Sequence, residues 1–421
     1  MMPAIDPRQG PPLAVPALFF ALAPLAAIAA GALLAYRGAE PMLSSWMPAA
    51  LAATHLGTLG FLLAVMFGAL YQMIPVVVGA PVPAPRLAPV VALSLAAGVA
   101  ALAYALATGA RPTMFAAFGL LGTASLLFAG PTAVALVRAP ARTPTATGMR
   151  LALTAFVVVV LLGLRLAWAH ATGDFPTDRA AWLVTHMAVA LVCWVGGLLV
   201  AVSWQVVPMF HLTAPPSPRA CRAQLAALAF TLVAMPTALL GPGWLRLLAI
   251  LPGAIVVWLV HPVSLLRGLA QRRRRRVDPA LRFWQAGLIG GLLTGLTALI
   301  AAFGEDPRLP VLFGWLAIWG WAGLIVHGML HRIVPFLVWF HRSARGGGAP
   351  VPSVRKLLPD ARARWGLYLH VGAVVLGAVA IISGRAWVAR AAGVALIAMG
   401  VDLAWVLTVV LRSAIPDSAS R

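Results

Sequence analysis

Nine histidines carry most of the chemistry that the chain can offer. Two of them share a setting. Thr54-His55 and Thr185-His186 each open a long apolar run, and the histidines stand 20 and 22 residues before Pro75 and Pro208. A histidine inside lipid is costly, so it faces the bundle interior and finds a partner. A neutral imidazole is also a common axial ligand of heme iron. His170 belongs to the same end of the chain's spans, and Arg165 lies about a turn and a half from it, where a guanidinium could pair a carboxylate. A second group reads His327-x-x-x-His331. Residues i and i+4 share one helix face, so both rings could meet one metal, with His370 as a third ligand. The plain alternatives are packing histidines that hydrogen bond to the backbone, and an interfacial polar cluster. His211 and His341 are expected outside the lipid and solvated. Asp402 is the only acid well inside a span, which makes it a candidate for pairing with an arginine or histidine, or for carrying protons.

These residues must be held by membrane helices. Of 421 residues, 62% are hydrophobic and only 10% charged, against roughly a quarter charged in a typical soluble chain. The apolar runs are about 20 residues or longer, so they span as helices and not as barrel strands. Twelve runs are predicted: 13–35, 47–75, 88–109, 112–138, 149–170, 181–208, 223–243, 246–268, 283–303, 311–339, 364–385 and 387–412. The second, sixth and tenth are the longest. The fold class is therefore all-α integral membrane, multi-pass, in one polytopic domain.

The formal net charge of +21 is almost all arginine. The arginines gather in the loops after even-numbered spans, such as Arg138, Arg142, Arg219, Arg222 and the run Arg272 to Arg276. The other loops hold most of the acids. That asymmetry places the even loops and both termini in the cytoplasm, and the seat of the arginines between apolar runs makes the charge a topology signal and not one for nucleic acid. Anionic membrane lipid is a partner such loops can meet. Cys193 and Cys221 form no metal or disulfide pattern, and no protease, hydrolase or nucleotide motif stands out.

Three spans end alike: Gly68 to Pro75, Ala201 to Pro208 and Gly328 to Pro335. Each has a small residue, a ring at one register, two aliphatics and a proline that is expected to close the helix. The spacing of four spans divides the chain into three four-helix units, about 13–138, 149–268 and 283–412.

Twelve helices in three arcs with cytoplasmic termini resemble subunit I of the heme–copper oxidases. The sharpest likeness is the second span. It runs from His55-Leu56-Gly57 to Ile74-Pro75-Val76-Val77-Val78-Gly79-Ala80 and on to Pro85-Arg86-Leu87. The resemblance implies heme b with His55 and His186 as cofactor-binding residues, and Arg165 and Arg385 near its propionates. The departures concern copper. Ala190 stands where the family has tyrosine, the seventh span has no histidine, and the outer half of the tenth lacks the family's His-x-His. The likeness is to a divergent relative that is not a terminal oxidase, similar to the NnrS-type heme and copper membrane proteins of the nitric oxide response. The expected setting is the inner membrane, with other respiratory subunits or a cytochrome as partners. Two alternatives remain: a membrane transporter, and a copper- or zinc-handling protein that uses His327, His331 and His370.

Overall fold

A computed structural model describes residues 10–273, 276–344 and 352–414. Arg274, Arg275, residues 345–351 of the long loop, and both terminal segments lie outside these. Twelve helices are long and apolar enough to cross a membrane: α1 (Ala14–Arg37), α2 (Pro48–Val78), α3 (Pro85–Thr108), α4 (Arg111–Arg138), α5 (Pro144–Thr172), α6 (Arg179–His211), α7 (Pro218–Thr237), α8 (Gly243–Ala270), α9 (Pro279–Phe303), α10 (Leu309–Ser343), α11 (Asp360–Ser383) and α12 (Ala386–Arg412). Among the described residues there is no strand. The protein is an all-α, multi-pass membrane protein.

Three helices occupy the centre. In the most apolar stretch of α2, α6 and α10, 78%, 78% and 67% of residues are buried, against 28–50% in the other nine. These three are also the longest, at 31, 33 and 35 residues. Each widens into a π-helical segment of eight residues: Leu56–Leu63, Val189–Gly196 and Leu316–Gly323. Each segment ends 12 residues before its helix's proline, Pro75, Pro208 or Pro335. The repeated endings seen in the sequence therefore coincide with a repeated distortion. The π segment of α10 packs against those of α2 and α6.

The prolines do not close their helices, contrary to the sequence expectation. Pro75, Pro208 and Pro335 all sit inside α-helical turns. A proline forfeits one backbone hydrogen bond, and in a membrane bundle neighbouring groups make up for it. The true ends of α2 and α6 follow at Gly79 and Leu212, both with left-handed backbone (φ 74° and 55°). Leu212 has no glycine's freedom there, and its amide caps the Pro208 carbonyl at 3.0 Å.

Glycines set the closest helix approaches. A Cβ on Gly31 of α1 would lie 2.5 Å from the Gly393 carbonyl of α12, so the first and last helices meet backbone to backbone. A Cβ on Gly290 of α9 would run into the carbonyl of Gly320, inside the α10 π segment. Without a solvent-driven hydrophobic effect between helices, such close packing is what associates them.

Candidate cofactor cavity and buried histidine cluster

Where α2, α6 and α10 begin, they enclose a cavity of about 290 Å³ together with α3, α4 and α5. His55, His170 and His186 all line it, as do Phe156, Trp194, Phe313 and Trp319. No acidic residue is among its lining residues. A mostly apolar cavity with a few convergent polar groups is the usual form of a small-molecule or cofactor site.

His55 is the last α-helical residue before the π segment of α2. Its Nδ1 lies 2.8 Å from the carbonyl of Leu51. A carbonyl only accepts, so Nδ1 carries the proton and the lone pair of neutral imidazole is on Nε2. Metal-bound histidines are commonly oriented in this way by a bond from the second nitrogen. His186 stands three residues before the π segment of α6 and lies over Gly163 of α5. A Cβ on Gly163 would be 3.0 Å from His186 Cε1, so the glycine makes room for the ring. His186 Nδ1 has no hydrogen-bond partner.

Arg179 is the arginine that lines this cavity. Its guanidinium lies over the rings of Phe175 (4.3 Å) and Trp46 (5.3 Å) and donates to His170 Nε2 at 3.4 Å. The arginines expected from the resemblance are elsewhere. Arg165 pairs with Asp174 at 3.3 Å and donates to that residue's carbonyl. Arg385 is exposed at the start of α12. Neither is among the lining residues of the cavity.

The second group lies between α10, α11 and α12. His327, His331, His370 and Asp402 are all buried. His370 Nε2 donates to the Trp319 carbonyl at 3.0 Å, which leaves its Nδ1 as acceptor for His327 Nδ1–H at 2.9 Å. His327 Nε2 and both nitrogens of His331 have no hydrogen-bond partner. Asp402 is ion-paired with Arg362, which also stacks on Trp405 at 4.3 Å. Gly366 stands between these groups: a Cβ there would be 2.8 Å from His331 Cε1, 3.1 Å from Asp402 Oδ2 and 3.6 Å from His327 Nε2. Thus the three histidines of the sequence motif do come together, with Asp402 added. Among the described residues, however, no group of three or more His, Cys, Asp or Glu side chains is arranged to hold a metal ion.

Two further histidines differ from expectation. His211 is buried, because α6 continues past Pro208 and keeps it within the helix. His341 is half-buried and bonds to the Leu337 carbonyl. His261 of α8 pairs with Ser203 of α6 at 2.9 Å, a contact that no sequence motif announces. Arg179 and Gly163 were also missed by sequence reasoning. The Asp178-Arg179 pair at the start of a span reads as an ordinary helix cap, and Asp178 does cap Ala181.

No protein-family model matches the chain, and a search of curated proteins finds no match either.

Proposed function

We propose that the protein is a heme-binding membrane protein whose heme occupies the cavity between α2, α5, α6 and α10, and that it works in electron transfer or in handling a diatomic gas such as nitric oxide. The observation that carries this reading is His55. Its Nδ1–H is committed to the Leu51 carbonyl, and its Nε2 is left uncommitted in a cavity that His186 also lines. The residues present fit heme b. Two neutral imidazoles suit the iron, apolar and aromatic walls suit the macrocycle, and Arg179 suits a carboxylate. A bound heme would supply one-electron exchange or gas binding at iron. The chain's own part is to orient His55 through Leu51, seat His186 against Gly163 and exclude water with aromatic walls. The oxygen-reducing copper site of the oxidases has no counterpart among these residues, so the reading is of a relative without that activity. The repeated π segments support an arrangement in three four-helix units. Both termini in the cytoplasm and a place in the inner membrane belong to the same reading. Heme assay of protein purified from heme-sufficient cells tests it: about one heme per chain is expected, and none would overturn it.

A second reading, copper or zinc handling, draws on His327, His331, Asp402 and the bond that His327 donates to His370 through its second nitrogen. It requires His331, which no hydrogen bond holds, to turn toward the other two. Metal analysis of wild type against His331→Ala separates it from the first. The transporter reading has no comparable observation behind it.

A further inference from the structure

Asp402 of α12 is a carboxylate inside a membrane helix, and it is buried. Such a charge persists beside a cation. Arg362, in the first turn of α11, is its partner. The two are unequally placed. The Arg362 side chain is 31% exposed, against 4% for Asp402. The guanidinium lies over the ring of Trp405, which is itself exposed, so a path along that ring leads outward. Long basic side chains near helix ends reach the membrane surface in this way.

The other side of Asp402 faces nitrogen. Its Oδ2 has no hydrogen-bond partner, nor has His327 Nε2, nor has either nitrogen of His331. All three side chains border the space over Gly366, where a Cβ would lie 3.1 Å from Oδ2 and 3.6 Å from His327 Nε2. The rings of His327 and His331 are 4.6 Å apart between centroids. His327 Nδ1–H is committed to His370, so its Nε2 is an acceptor. A carboxylate oxygen and an imidazole lone pair that border one space, with a second imidazole beside them, are a donor set for a cation. Arg362 meanwhile holds Oδ1 of the same carboxylate.

We infer that the cluster is a divalent-cation site whose charge Arg362 supplies in the ion's absence, so that guanidinium and ion exchange for one another on Asp402. This rests on the metal-handling reading of the cluster, the second of the two above, and adds its regulation. An ion of the zinc class takes two imidazoles and a carboxylate and keeps a fourth position open. The bond from His327 Nδ1 to His370 orients the first imidazole, and His331, which no hydrogen bond holds, turns to complete the set. Asp402 is compensated in both states, so exchange never leaves its carboxylate buried and unpaired. Arg362 moves out along Trp405, so the ion comes and goes at the end of the bundle opposite the His55 cavity. The tethered cation also sets the affinity: an ion that binds must displace it, which keeps the ion exchangeable.

The test is a zinc titration of chelator-stripped protein in detergent, read by calorimetry and by melting temperature. Arg362→Gln is expected to bind zinc about tenfold or more tighter than wild type, since the competing ion pair is gone. Its melting temperature falls in chelator and recovers in zinc, and wild type moves less. Arg362→Lys keeps the charge but loses the planar fork that stacks on Trp405, so it also binds zinc more tightly than wild type. It decides the outcome if Arg362→Gln does not fold. Adding His331→Ala or Asp402→Asn to either variant removes the zinc. Affinities equal to or weaker than that of wild type in the Arg362 variants overturn the exchange while leaving the metal reading intact. Zinc that survives both His331→Ala and Asp402→Asn is bound elsewhere and overturns both. If no form of the protein binds zinc, the metal reading falls and the exchange falls with it.

Discussion

His370 donates a hydrogen bond to the backbone carbonyl of Trp319, and Trp319 also lines the apolar cavity that His55 and His186 share. Trp319 lies within the π segment of α10, where the widened turns disturb the regular i→i−4 ladder. The buried histidine cluster is therefore joined to the wall of the cavity through one residue. His370→Leu removes a partner from both the Trp319 carbonyl and His327 Nδ1. An unsatisfied buried carbonyl costs about 1–3 kcal/mol. A lower melting temperature and a shifted Soret band are expected together, measured on the heme-loaded protein. A change in stability with no spectral change would show that the cluster does not reach the cavity.

Gly163 makes a sharper test of His186. Gly163→Val puts a branched side chain where the His186 ring lies, since even a Cβ would be 3.0 Å from Cε1. The expected spectrum is that of His186→Ala, with circular dichroism showing unchanged helix content. Normal iron coordination in Gly163→Val would remove His186 from the ligand set.

The α9–α10 crossing depends on backbone contact. Gly290→Ala drives a methyl into the Gly320 carbonyl, so the helices must separate. Overpacking of this kind costs about 1–3 kcal/mol, and more where backbone must move. Gly372→Ala, in α11, meets nothing within 4 Å. It should be neutral, or stabilising by up to about 1 kcal/mol through helix propensity. Thermal melts of the two variants check the contrast.

Asp402→Asn leaves Arg362 without its carboxylate. Breaking a buried ion pair costs roughly 3–5 kcal/mol. The Arg362 side chain is 31% exposed and keeps its stacking on Trp405, so about 1–3 kcal/mol is expected here. Adding Arg362→Gln should recover part of the loss. A double variant no better than Asp402→Asn in thermal melts would mean that the ion pair is not the reason for the cost.

Much of the fold is legible in the sequence because lipid imposes length and apolarity on every span. The twelve runs, and the greater length of the second, sixth and tenth, follow from that alone. The placement of His55 and His186 at the starts of matching helices is legible in the repeat. What composition hides is rotation. A helix that is apolar all round buries one face in protein and another in lipid with the same residue types. Nothing in Leu56–Leu63 or Leu316–Gly323 marks a π segment, and nothing about Arg165 says that it turns to Asp174 and not to the cavity. Arg179 stands at the start of a span like any boundary charge, and only the packing of Trp46 and Phe175 around it reveals its place. A helix in water ends or kinks at proline, and these three continue because their neighbours in the bundle hold them.

Heme in the cavity of His55 and His186 has a direct optical signature. Oxidised and dithionite-reduced absorption spectra of the purified protein, recorded for wild type and for His55→Ala, test it most directly. A sharp reduced α-band is expected in wild type, lost or broadened to a five-coordinate form in His55→Ala. A featureless wild-type spectrum under ample heme supply, or a band that His55→Ala leaves untouched, would contradict it.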